Sequence, residues 1–366
     1  MPEDDRGSWV AADQVSSRNR ALLFGGLSKG FPNNRNSVIA MKPRVRIYIP
    51  TYQRPKLLER ALDSLLGQTF QDWVAEVHND DPGDTSAGEL VNGIGDSRIL
   101  LVDHQTNWGA MRAFNNIFSG RNSEEFISLL EDDNAWEAGF LERMLEIMDA
   151  NPEIKMAWCN QALDRETPEG NVVQMDGRNA RERGQPSWLS SGKYSFGHVR
   201  QASGALFANG AMLLRTKLTG PLQTPLTIPF TGVESYRERL MGGPFFYTEE
   251  PLARFTETQA SARVGEKSDW SKFQAGLMAS YLLSRPESDS EVLEYLRSLR
   301  PASTGVFIVA CLAHPDLRSK LTQIRPQEWL RWGLTAARRY SRVRDSLLYQ
   351  SASWWNELCD ATNRNK

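Results

Sequence analysis

Phe126-Ile127-Ser128-Leu129-Leu130-Glu131-Asp132-Asp133-Asn134 sets an apolar run directly before three consecutive carboxylates. A short apolar run bounded by turn residues reads as a buried strand. Carboxylates side by side at its end repel one another, and a low-dielectric neighbourhood raises that penalty. A divalent cation removes the penalty. An oxygen-only cluster suits Mg2+ or Mn2+, which also bind phosphate oxygens. Open α/β sheets bind ligands at the carboxyl ends of their strands, where this cluster sits. A solvated acidic turn is the alternative reading, because Asp and Asn are common turn residues.

Upstream, the pattern supports a sheet. Val45–Ile49 reads as a strand, residues 50–55 as a loop, and Leu57, Leu58, Ala61, Leu62, Leu65 and Leu66 recur at helical spacing up to Gly67. Trp73–His78 is a second strand, followed by the turn-rich Asn79-Asp80-Asp81-Pro82-Gly83-Asp84. Ile99–Val102 is a third strand, and Ala110–Phe118 is helical. Downstream of the acidic cluster, Gly139–Ala150 reads as a helix and Lys155–Cys159 as a strand. Strands alternating with helices imply a mostly parallel sheet with right-handed crossovers. Residues 160–195 are polar and read as loops or an irregular hairpin, Gly204–Leu214 as buried, and the chain from about Asp269 as helical. The expected organisation is an extension over 1–43 without clear periodicity, an α/β domain over 44–265 and a helical region over 266–366.

Composition narrows the function classes. The chain has 366 residues and a net charge of −2, so no global basicity points to nucleic acid. Cys159, Cys311 and Cys359 are far apart and odd in number, which fits neither a disulfide framework nor a zinc site. No run of about 18 apolar residues suggests a membrane span. The acidic start Met1-Pro2-Glu3-Asp4-Asp5 does not resemble a secretory signal. The expectation is a cytoplasmic protein.

Ile49-Pro50-Thr51-Tyr52-Gln53-Arg54, Ala61-Leu62-Asp63-Ser64-Leu65-Leu66-Gly67-Gln68-Thr69, Asn79-Asp80-Asp81, Asn107-Trp108-Gly109, Asn115 and the acidic cluster follow one another in order. Together they resemble the family 2 glycosyltransferases of the GT-A fold, a Rossmann-like mixed sheet flanked by helices, over about residues 44–260. The resemblance implies a nucleotide-sugar donor, a divalent metal (Mg2+ or Mn2+) and an inverting single displacement. Glu131-Asp132-Asp133 occupies the place of the family's D-x-D motif, with Glu131 departing from its first Asp. Asp133 would be the metal ligand, and Glu131 or Asp132 would face the donor ribose and sugar.

The resemblance also implies that Pro50, Thr51, Tyr52 and Arg54 line the nucleotide. Arg54 as a surface cation packed on Tyr52 is the alternative. Asp80 or Asp81 would accept a pyrimidine N3–H, favouring a UDP or dTDP sugar, unless both simply cap the turn. Asn107 and Gly109 would let backbone approach the donor. Arg112 would meet the diphosphate or the acceptor, although the family's Arg immediately before Asn115 is here Phe114, so an exposed helix cation is equally consistent. Glu234, in Gly232-Val233-Glu234-Ser235-Tyr236-Arg237-Glu238-Arg239-Leu240, would be the general base. Only one acid precedes the aromatic there, and a plain helix N-terminal acid is the alternative. Glu249 and Glu250 are expected to be structural or rim residues, and Trp136 either stacks on a sugar or joins the core.

Residues 318–344 carry Arg318, Lys320, Arg325, Arg331, Arg338, Arg339, Arg342 and Arg344, with Trp329 and Trp332 between them. They read either as the solvated face of a helical domain or as a peripheral contact with the inner membrane surface. The latter suits a lipid-linked acceptor. A glycan or a small molecule is the other expected acceptor class. Two competing functions are a sugar nucleotidyltransferase, disfavoured because Pro50-Thr51-Tyr52 stands where a Gly-rich basic loop is usual, and a catalytically degenerate nucleotide- or sugar-binding subunit.

Overall fold

Val45, Ile47 and Ile49 pack on one side of the first strand while Tyr48 is buried on the other. A strand buried on both faces belongs to the middle of a sheet covered by helices on both sides. The computed structural model shows this arrangement and describes residues 42–179, 190–195, 199–202, 204, 208–259, 267–284, 289–298, 302–338 and 340–364. The N-terminal extension, as far as Met41, lies outside the described residues.

The strands are β1 (Val45–Thr51), β2 (Trp73–Asn79), β3 (Ile99–Asp103), β4 (Phe126–Leu129), β5 (Ala135–Trp136), β6 (Met156–Glu166), β7 (Val172–Asn179), β8 (Gly192–Tyr194), β9 (Met212–Arg215) and β10 (Phe245–Glu257). The helices are α1 (Pro55–Leu66), α2 (Ser86–Ile94), α3 (Gly109–Ile117), α4 (Phe140–Ala150), α5 (Thr216–Thr219) and α6 (Val233–Met241). After these come α7 (Lys267–Ser284), α8 (Asp289–Ser298), α9 (Ala302–Ala313), α10 (Pro326–Arg338), α11 (Tyr340–Ser346) and α12 (Trp355–Asn363).

The sheet runs β3-β2-β1-β4-β9-β6-β10-β5, with β7 on β6 and β8 on β10. β1, β2, β3 and β4 are parallel and in register, with Thr51 beside Asn79, Asn79 beside Asp103, and Tyr48 beside Leu129. Their carboxyl ends therefore share one edge. Antiparallel β9 joins this half to the parallel pair β6–β10. The α/β architecture expected from the sequence is present.

One face of the sheet buries α1, α2 and α4 through Leu58, Leu62, Leu65, Val91, Phe140 and Met144. The other buries α3 and the end of α6 through Phe114, Ile117, Phe118 and Met241. Each helix meets the sheet with its apolar stripe. Pro55 opens α1, where its fixed φ is preorganised for a helix. A third core gathers α7, α8, α9 and α12 and takes in Ile228 and Tyr236 from ahead of them.

β6 continues to Glu166 and folds back into β7 with a register shift between Ala162 and Asp164, the irregular hairpin that is one of the readings of this stretch. Two elements differ from the sequence reading. Residues 86–94, to which the sequence reading assigns no element, form α2. The two-residue strand β5, which follows the acidic cluster and pairs with β10, is too short to leave a period in the sequence.

Candidate active site

The acidic cluster follows β4 at the carboxyl edge. Leu130 N–H donates to Tyr48 O at 2.9 Å, which fixes where Glu131-Asp132-Asp133 emerges. Asp132 turns inward and is buried; its Oδ2 accepts a hydrogen bond from Thr51 Oγ1 at 2.9 Å. Burial, and then the Asp133 charge beside it, push the Asp132 carboxyl up to about 6. Arg54 opposes that shift. Its Nη1 lies 3.4 Å from Asp132 Oδ1 and 3.1 Å from Asp133 Oδ2, bridging both carboxylates from the end of β1. Arg60 on α1 donates to the Asp133 carbonyl at 2.6 Å and pairs with buried Asp164 at 3.1 Å. Asn134 donates to Glu131 Oε2 at 2.7 Å and accepts from Thr256 N–H at 3.1 Å, tying the turn to β10.

A cleft of about 640 Å³ opens along this edge. Pro50, Thr51, Tyr52, Arg54, Asp80, Asn107, Gly109, Glu131, Asp132 and Asp133 line it, together with Phe114, Phe230 and the end of β10. Asp80 also serves the start of α3. Its Oδ1 accepts from Trp108 N–H at 2.7 Å and its Oδ2 from Gly109 N–H at 2.8 Å. His104 Nδ1 lies 2.8 Å from Asp80 Oδ1, and the His104 ring stacks on Trp108 with centroids 3.7 Å apart. Asp80 is thus an N-terminal cap for α3 delivered from another strand. Gly109 adopts φ +70°, a conformation glycine reaches without strain, at the close approach of Asp80.

The remaining expected residues lie off the cleft lining. Asp81 closes an exposed Asx turn onto Gly83 N–H at 2.9 Å and accepts from the Gln53 amide. Arg112 is exposed on α3. Glu234, in the first turn of α6, accepts from Asn209 Nδ2 at 3.1 Å, and Asn209 Oδ1 accepts from Arg237 Nη1 at 2.7 Å. The adjoining Gly210 approaches Glu131 and Asn134 so closely that a Cβ there would stand 3.4 Å and 3.1 Å from their side chains. Glu234 therefore connects to the acidic cluster through the turn Asn209–Ala211.

Arg237 is buried flat against Phe118, its Cζ 3.9 Å from the ring centre. Burial lowers its guanidinium to about 10, opposed by Glu234 and Glu131. The resemblance also implies an acceptor-site floor at residues 204–207 and 209–212; residues 205–207 lie outside the described residues, and the turn Asn209–Ala211 sits against Glu131 and Asn134. Trp136 belongs to the core, stacked on Phe140 and donating to Gly210 O at 2.8 Å. Glu250 pairs with Arg143 at 2.8 Å on the exterior.

Sequence reasoning gave no role to Arg60, Asn134, Arg237, His104 or Phe230, and gave Asn209 only a place in the implied acceptor floor. Arg237 lies within the quoted helix motif between Glu234 and Glu238, where it reads as an ordinary helix cation, and only its burial exposes its role.

Among the described residues, no group of three or more His, Cys, Asp or Glu side chains could hold a metal alone. The residues do fit a shared site. Asp133 stands partly exposed in the cleft beside Asp132, and Mg2+ is commonly held by one or two carboxylates together with substrate phosphates. The Asp132 carboxyl, raised by burial first and by the Asp133 charge second, sits in an electrostatic setting that such an ion relieves.

A mixed sheet with its cleft at the carboxyl ends of β1, β2 and β4, and an acidic turn on one wall, defines a GT-A glycosyltransferase fold. Residues 46–204 match glycosyl transferase family 2. One relative is the UDP-Glc:alpha-D-GlcNAc-diphosphoundecaprenol beta-1,3-glucosyltransferase WfgD of Escherichia coli, 32% identical over 110 residues, or 29% of this chain and 42% of WfgD. Another is the uncharacterized glycosyltransferase MJ1057 of Methanocaldococcus jannaschii, 27% identical over 121 residues, or 31% of this chain and 40% of that protein. The chain thus spans less than half the length of the curated relatives it matches. Among solved structures, S. aureus TarS 1-349 in complex with UDP superposes with a TM-score of 0.51 at 13% identity, covering 86% of this chain and 91% of TarS 1-349.

Proposed function

We propose that the protein is an inverting glycosyltransferase that moves a sugar from a nucleoside-diphosphate donor to an acceptor hydroxyl. The observation that carries this reading is the convergence of Thr51, Arg54, Asp80 and Glu131-Asp132-Asp133 on one cleft wall. Pro50 and Tyr52 at the end of β1 and Phe114 and Phe230 opposite offer apolar surface for a base and ribose. Asp80 stands at the cleft for a pyrimidine N3–H, and the WfgD name specifies a UDP sugar, so a UDP donor is favoured over a dTDP one. Asp133 would hold a Mg2+ or Mn2+ ion whose chemistry is to neutralise the leaving diphosphate. Arg54, already bridging Asp132 and Asp133, adds positive charge beside the same position.

Glu234 is the proposed base. The acceptor oxygen attacks the anomeric carbon, its proton passes to the Glu234 carboxylate, and the bond to the nucleoside diphosphate breaks on the opposite side. Asn209, clamped between Glu234 and Arg237, orients that carboxylate. The acceptor is a glycan, a lipid-linked saccharide or a small molecule.

The test is the thermal shift with UDP, dTDP, GDP and CDP, each with Mn2+ and with EDTA, on wild type and Asp133→Ala, followed by transfer assays. A metal-dependent shift with a uridine nucleotide, lost in Asp133→Ala, is expected. Glu234→Gln keeps the shift and loses transfer by about 10²–10⁴-fold. Full activity of Asp133→Ala in excess EDTA would sink the reading. A nucleotide shift without turnover on any donor would favour a degenerate binding subunit.

A further inference from the structure

α10 presents two different faces. Trp332 and Glu328 point inward: Trp332 lies so close to Gly305 of α9 that a Cβ there would stand 2.6 Å from its ring, and Glu328 pairs with Arg297 at 2.5 Å. On the opposite side Leu330 is 68% exposed and Leu334 57%, while Trp329, on the flank between the two faces, is 37% exposed. At about 100° per residue, Pro326, Leu330, Leu334 and Ala337 form one outward stripe, and all four are exposed. Leucines on an outward stripe of a helix that is well packed underneath are not explained by the fold.

Charge indicates what covers them. Arg331 stands at the edge of the stripe, and Arg318, Arg325, Arg342 and Arg344 are exposed on the segments before and after it. The acids here are engaged or peripheral: Glu328 with Arg297, Asp345 with Arg344 at 3.4 Å, and exposed Asp316. A second copy meeting this face across a two-fold axis would bring the arginines against one another. An anionic surface with an apolar interior satisfies both features at once.

We propose that α10 lies in the plane of an anionic lipid surface, with Leu330 and Leu334 entering the acyl boundary, Trp329 on the flank at the level of the head groups, and the surrounding arginines meeting lipid phosphates. Among the described residues no helix is long and apolar enough to cross a membrane, so the contact is peripheral. The attachment stands on this face alone and does not depend on the donor chemistry proposed above.

The experiment is flotation of the full chain with phosphatidylcholine vesicles and with vesicles holding an equal share of phosphatidylglycerol. Wild type floats with the anionic vesicles, and binding falls steeply at about 0.5 M NaCl. Leu330→Glu/Leu334→Glu lowers binding at least about tenfold. Arg325→Glu/Arg331→Glu, which leaves the leucines in place, lowers it by a similar factor. Unchanged melting and nucleotide binding in these variants separates a lost surface from lost folding, and should the leucine pair fail to fold, the arginine pair decides alone. Wild type that stays unbound on anionic vesicles overturns the proposal, as do variants that float like wild type. A wild-type dimer that becomes a monomer in Leu330→Glu/Leu334→Glu would identify the face as a self-interface and would equally overturn it.

Discussion

Replacing Asp132 by Asn should stabilise the fold while damaging the site. Burial and the neighbouring Asp133 raise the Asp132 carboxyl from an ordinary value of 3.8 to about 6. The folded chain therefore binds this proton more tightly than the unfolded chain does. Ionised Asp132 costs the folded state about 3 kcal/mol above about pH 6, and that cost fades as pH falls from about 6 toward 4. Asn keeps an acceptor for Thr51 Oγ1, 2.9 Å away, but gives up the ionic part of the Arg54 contact at 3.4 Å. That loss is on the order of 1 kcal/mol for a partly exposed arginine that retains Asp133. The net gain is about 2 kcal/mol at pH about 7.5, which raises Tm by about 3 °C in a chain of this size. Calorimetric melts of both proteins in EDTA, at pH about 7.5 and about 4.5, measure it. The gain should shrink at the lower pH, where the wild-type carboxyl is protonated in the fold. A variant that melts at or below wild type at the higher pH, or a gain independent of pH, would refute the claim that Asp132 is held ionised at a cost.

Arg237→Met should leave stability nearly unchanged while lowering transfer. Its Nε and Nη2 are buried without partners among the described residues, so an apolar side chain of similar length leaves the melting temperature within a few degrees of wild type. Asn209 loses its anchor, and transfer should fall about 100-fold through kcat with little change in donor KM, measured by steady-state kinetics. Gly232→Ala places a Cβ 2.3 Å from the Phe273 ring at the junction of α6 and α7. It should destabilise by about 1–3 kcal/mol in denaturant melts, and Phe273→Leu should restore part of the loss.

Most strands and helices of the α/β domain were legible because a strand buried on both faces is a continuous apolar run and a covering helix repeats at 3.6 residues. The acidic turn was legible because three carboxylates at a strand end are rare without a use. α2 was not, since it buries only Ala87 and Val91 and so leaves no helical stripe in the sequence, and the β6–β7 hairpin was legible only as one of the alternatives for its stretch. At the site, Asp80 shows the limit most clearly. Its place at the end of β2 follows from sequence, but its hydrogen bonds to Trp108 and Gly109 N–H join residues far apart along the chain.

By itself, then, the sequence determined the order of β1 to β4, the carboxyl edge they share and the oxygen chemistry of Glu131-Asp132-Asp133. Only the tertiary structure decided that Asp132 is buried and Asp133 faces the cleft, that Arg54 bridges the two, and that Arg237 and Asn209 hold Glu234. It also decided that Leu330 and Leu334 point outward while Trp332 points in. Local periodicity records which residues avoid water along one segment. Which charges meet, and how dry their surroundings are, depends on segments brought together from across the chain, and that is what sets the electrostatics of the site.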